Sequence, residues 1–177
     1  MIDLLPAPEP RDSAERCVLA DVAKYGLHVV HVPPADGIPG WSFSIGLYRS
    51  YGSPEVVVFG LPQRVAHEVL NELGARAASA PLLADELHDG VIEGFGCVLR
   101  PVLPKWYAPF LGMAGWYYQR RAFPALQCLW PDARGRYPWD SEFSPELRPA
   151  QPLLHLESPR EANAEELLRS VGGGPAS

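Results

Sequence analysis

The side chains best equipped to bind or react fall into a few short stretches. In WSFSIG, Ser42, Ser44 and Gly46 alternate with Trp41, Phe43, Ile45 and Leu47. That period of two puts small polar residues on one face of a strand and large apolar ones on the other. Hydroxyls and open backbone could floor a pocket for a small ligand or a phosphate. Equally, small residues let a helix pack closely on that face. His67, Glu68 and Asn71 follow on a helix-patterned segment. Positions 67 and 71 are four apart and share a helix face, so they could line the same cleft as the serines or form a solvated surface. The tract Trp130, Pro131, Asp132, Arg134, Arg136, Trp139, Asp140 mixes indoles, carboxylates and guanidinium groups. Arginine stacks on indole faces and pairs with carboxylates. The tract reads as a recognition surface for an acidic or aromatic group, or as a rigid hairpin closed by its own Arg–Asp pairs. If the chain has a site, the serine face should border it, with this hairpin nearby.

Signals for a reaction are sparse. No GxSxG elbow, P-loop or dinucleotide fingerprint occurs. Glu93 is the one carboxylate set within an apolar strand pattern, and with His67 it is the candidate for a small-molecule hydrolase. Cys97 and Cys128 lie in apolar runs and read as packing residues. Asp85, Glu86, His88 and Asp89 crowd one loop, but they match no metal-binding spacing and read as a hydrophilic turn. No metal is expected, and the residues specify no cofactor.

The elements that must position these residues are legible. Asp12 and Glu15 have capping-box spacing, Val18, Leu19, Val22 and Tyr25 recur at helical intervals, and Gly26 stops the helix. Leu27–Val32 reads as a strand. Trp41–Leu61 reads as two strands joined by a Gly/Ser/Pro turn, the second being EVVVF (55–59) with apolar residues on both faces. A helix over 62–79 carries the stripe Val65, Ala66, Val69, Leu70, Leu73, Ala77. The pattern then predicts a loop over 81–90 and a strand over 91–102 interrupted by Gly94 and Gly96. A helix over 105–118, unsettled by Pro109, is followed by a strand over 125–130 and a return strand at 137–139. Residues 159–170 read as a short polar helix before a disordered tail. These elements make an α+β domain over 12–145: a curved, mostly antiparallel sheet or partial (split) barrel with two or three helices packed outside. An extended arm (1–11) precedes it and a Pro-rich extension (146–177) follows.

The net charge of −6 and the absence of any basic run argue against nucleic-acid binding. No apolar stretch approaches the ~20 residues of a membrane span, and the N-terminus lacks a secretory pattern. Three separated cysteines fit reduced thiols in a cytoplasmic protein.

Four segments together resemble the bacterial domain-of-unknown-function family 4262. They are WSFSIGLYRSYGSPEVVVFGLP, the helix containing Asn71, FLGMAGWYY (110–118) and LQCLWPDARGRYPWD (126–140). The resemblance spans about residues 14–145 and implies no catalytic assignment. A looser likeness, in element order alone, is to flavin-reductase-like split barrels. The residues point first to a non-catalytic binding or interaction protein of accessory or immunity type, whose partner is a protein or a small molecule. The alternatives are a split-barrel-like oxidoreductase binding a flavin or related cofactor, and the hydrolase above.

Overall fold

The computed structural model describes residues 6–35 and 37–157. Helix α1 (Ser13–Tyr25) begins where Asp12 accepts the amide of Glu15, at 2.8 Å, and ends where Gly26 adopts φ 84°. The expected reciprocal half of the capping box is displaced by one residue. Glu15 takes the amide and guanidinium of Arg11 rather than the amide of Asp12.

Strands β1 (His28–Val32), β2 (Trp41–Ile45), β3 (Glu55–Phe59), β4 (Leu87–Ile92), β5 (Phe95–Pro101) and β6 (Ala125–Leu129) form one sheet in the order β1-β2-β3-β6-β5-β4. Its pairings are antiparallel except for β3 with β6. The chain leaves β3 through helix α3 (Gln63–Ser79), reaches the far edge, and returns inward to insert β6 beside β3. All five residues of β3 and of β6 are buried, as central strands require. The sheet has two ends, β1 and β4, and does not close into a barrel.

Each face of the sheet has its own core. On one, Ala66, Val69, Leu70, Leu73 and Ala77 of α3 meet Val56, Val58, Leu99, Leu126 and Cys128. On the other, Val18 and Val22 of α1 join Phe43, Ile45, Val57, Phe59 and an aromatic group that includes Trp106, Phe110, Tyr117 and Tyr118. Full burial of each such large side chain contributes about 1.5–3 kcal/mol, so each face carries enough apolar contact to hold its helices.

Several expected elements differ. The turn after β2 contains a helical turn, α2 (Leu47–Tyr51), because Gly46 at φ 112° swings the chain out of the strand. Leu47 therefore packs with α3 and not with Phe43 and Ile45. The segment read as one interrupted strand over 91–102 is the β4–β5 hairpin, reversed by Glu93 and Gly94 (φ 78°), with Ile92 paired to Phe95. Strand β4 starts at Leu87, inside the stretch expected to be loop. Glu93 is exposed at the turn and not set in an apolar strand. The aromatic helix is broken into a 3-10 turn (Pro104–Trp106), α4 (Tyr107–Phe110) and α5 (Gly112–Tyr117). Pro109 lacks an amide to continue the ladder, and the chain breaks at Leu111. Residues 137–139 form no strand. The expected helix over 159–170 and the tail lie outside the described residues.

The chain after β6 returns to the core. Gln127 donates to the Pro152 carbonyl and accepts the Leu154 amide, while Gln151 bridges the amide and carbonyl of Trp130. Leu154 is fully buried beside Val102 and Trp106.

Candidate functional site

Edge strand β1 carries His28 and His31, and alternation along a strand sends them to opposite faces. His28 Nδ1 lies 2.7 Å from Asp21 of α1. His31 Nδ1 lies 2.7 Å from Ser42 Oγ, and its Nε2 lies 3.3 Å from Nδ1 of His67 on α3. Ser42, His31 and His67 thus form a chain from the buried sheet to the surface. Partial burial, reinforced by His67 and His28, pushes the His31 imidazole below its ordinary value. Two adjoining hollows of about 450 and 690 Å³ flank this chain, with Asn71 lining the first and Glu68 the second. Ser42 is itself buried, so its hydroxyl ties β2 to β1 and offers no approach to a substrate carbon.

Ser44 and Gly46 belong to a different assembly, built around Glu55. The Glu55 carboxyl is wholly enclosed. It accepts the Ser44 hydroxyl at 2.5 Å, the Gly46 amide at 2.8 Å, the Tyr48 amide at 3.2 Å and the Tyr118 hydroxyl. Ser44 Oγ in turn accepts the Val56 amide. The carboxyl caps α2 from outside, because Gly46 has no side chain to do so. Burial lifts the Glu55 carboxyl above its usual range despite these donors, and burial with the adjacent Glu55 drives the Tyr118 phenol far up. Tyr118 stays protonated and donates.

The Trp130–Asp140 tract closes on itself. Asp132 is buried and takes the amides of Arg134, Arg136 and Ser144, the Ser144 hydroxyl and the Arg136 guanidinium. Burial opposes ionisation of Asp132, yet these donors together hold it well below the usual carboxylate range. Trp130 donates its indole N–H to the Phe59 carbonyl at 2.8 Å. Trp139 stacks on Tyr137 at 5.0 Å, with Arg100 4.8 Å from its ring centre. Arg134 is exposed. The tract sits at the carboxyl end of β6 and against β5 through the Tyr137–Gly96 bond. Ser44 and Gly46 lie at the opposite end of β3, so the tract and those residues are not brought together.

A third hollow is one that spacing did not reveal. It measures about 910 Å³ and opens beside α4 and α5. Tyr107, Trp116 and Phe123 give it aromatic walls, Gly112 and Gly115 a bare floor, and Arg11, Arg120 and Arg121 a cationic rim. Gln119 and Arg120 both hold left-handed backbone, φ 54° and 58°. They are fixed by bonds from Gln119 to the Trp116 and Pro6 carbonyls and from Arg120 to that of Gly115. The signal in the sequence was the Gln-Arg-Arg that follows FLGMAGWYY, but only the fold shows that it faces a cavity.

An open mixed sheet with helices on both faces defines the protein as an α+β domain. The family model described as domain of unknown function, DUF4262, matches residues 21–144, and the chain belongs to that family. No curated protein and no solved structure matches the chain. Among the described residues no helix is long and apolar enough to cross a membrane, and no group of three or more His, Cys, Asp or Glu side chains is arranged to hold a metal ion.

Proposed function

We propose that this protein is a non-catalytic binding protein whose small-molecule ligand occupies the cavity beside α4 and α5. The carrying observation is the lining itself. The volume is that of a small-molecule pocket, yet no Ser, Thr, Cys, His, Asp or Glu is among the described residues that line it. Its one phenol, Tyr107, is pushed up by burial and stays protonated. The carboxyls that are strongly perturbed, Glu55 and Asp132, are occupied by internal donors elsewhere. Cys97 and Cys128 are buried neighbours and present no accessible nucleophile.

The test is a small-molecule screen read by thermal shift and by Trp116 fluorescence. Each bound compound is then recovered and weighed by mass spectrometry. A ligand that raises the melting temperature and returns unchanged is expected. Conversion of the ligand in proportion to protein, or no ligand for the cavity at all, would refute the reading.

A further inference from the structure

Resting on that binding reading, we infer that the cavity beside α4 and α5 selects a planar anion: a flat aromatic body carrying a carboxylate, sulfonate or phosphate.

The charge of the rim runs against that of the chain. The protein carries a formal −6, yet the described residues that line the cavity include three arginines and no carboxylate. Arg11 is paired with Glu15. Arg120 and Arg121 are exposed and have no ion pair among the described residues. Both line the same hollow, where a bound anion would offset the repulsion between their like charges. Backbone strain accompanies the placement of Arg120, since it and Gln119 are consecutive left-handed non-glycine residues, which are costly and persist only where the surroundings impose them. Here bonds to the Pro6, Gly115 and Trp116 carbonyls impose them.

The floor supports a flat occupant. Gly112 and Gly115 are three apart on α5 and so face the same way. A glycine in a helix is less favourable than an alanine. Packing explains that cost at other glycines: a Cβ at Gly74 would come within 2.8 Å of Leu27, and one at Gly46 within 2.8 Å of Val22. At Gly112 and Gly115 a Cβ would meet nothing within 4 Å. No protein neighbour requires their bareness, which leaves the helix backbone open to a ligand. Tyr107 and Phe123, 5.0 Å apart, and Trp116 offer rings for stacking.

The experiment uses a matched pair of probes on the full chain: 1-anilinonaphthalene-8-sulfonate and its uncharged parent, N-phenyl-1-naphthylamine. The sulfonate should bind about tenfold more tightly, the worth of one charge-assisted hydrogen bond. Arg120→Gln with Arg121→Gln should erase that preference and leave the neutral probe unaffected. Gly115→Leu should abolish both signals while the melting temperature holds or rises, since the new side chain enters empty space. Equal affinity for the two probes, or a preference that survives the double substitution, overturns the anion assignment and leaves the binding reading standing. Failure of both probes to bind, or binding that survives Gly115→Leu, overturns both.

Discussion

Replacing Glu55 by leucine removes the acceptor of four donors: the buried Ser44 and Tyr118 hydroxyls and Gly46 amide, and the partly buried Tyr48 amide. A buried donor left without a partner costs about 1–3 kcal/mol. Four such losses, partly relieved by local relaxation, put the expected destabilisation at about 4 kcal/mol or more. That is a large part of the ~5–15 kcal/mol that holds a domain of this kind together. Glu55→Gln should cost far less, about 1 kcal/mol. Its carbonyl can keep the Oε1 contacts to Gly46, Tyr48 and Tyr118, and only the Ser44 hydroxyl loses its acceptor. Urea unfolding, read by midpoint at constant slope, separates the two variants. The pH dependence supplies a second check. Burial raises the folded carboxyl above its ordinary 4.5, so the folded state binds the proton more tightly than the unfolded chain. The stability this contributes is complete below the unfolded value and is lost as pH rises through the folded one. The gap between wild type and Glu55→Gln should therefore narrow as pH rises. A leucine variant within about 1 kcal/mol of wild type would refute the assignment of Glu55 as the tie between β2, α2, β3 and α5. So would a gap that widens with pH.

Two further outcomes follow from the geometry. Gly46→Ala should cost more than a surface glycine substitution, because φ is 112° and the new Cβ would meet Val22 at 2.8 Å and the Gly26 carbonyl at 2.9 Å. We expect a loss above about 2 kcal/mol by denaturant unfolding, against almost none for Gly112→Ala. For His31, the depressed imidazole means that the folded state resists protonation. The associated stability is present above the unfolded value and fades as pH falls through the folded one. An NMR titration should place His31 below the ordinary 6.5, and His31→Gln should flatten the acid limb of the stability profile between about pH 7 and 5.

Much of the scaffold is written in local pattern. Helix α1 has its cap and stop in Asp12 and Gly26, α3 has its apolar stripe, EVVVF reads as a buried strand because its positions are apolar on both faces, and 125–130 reads as a strand. These signals act within a turn or a strand, so neighbours in sequence suffice to show them. The misreadings arose where one residue redirected the chain. Gly46 turned a strand into α2, Gly94 turned an interrupted strand into a hairpin, and the break at Leu111 divided an apparent helix. Glu55 was legible only as the first letter of a strand, since its partners come from positions 44, 46, 48 and 118.

The candidate residues divide the same way. Ser42 and Ser44 share one face of β2, for alternation is a local rule. That Ser42 meets His31 while Ser44 meets Glu55 depends on the registers of β1 and β3. Asp132, Arg134 and Arg136 were readable as one closed turn because their spacing lets a single carboxylate collect nearby amides. The cavity beside α4 and α5 was not readable at all. Its arginines, glycines and rings come from the N-terminal arm, two short helices and the loop before β6, and no period links them. Sequence alone determined α1, α3, β1, β2, β3 and β6 and that the chain belongs with its family, because those depend on short-range order. Only the tertiary structure decided which polar groups are consumed internally and which face an open volume, because burial and empty space belong to the packed whole.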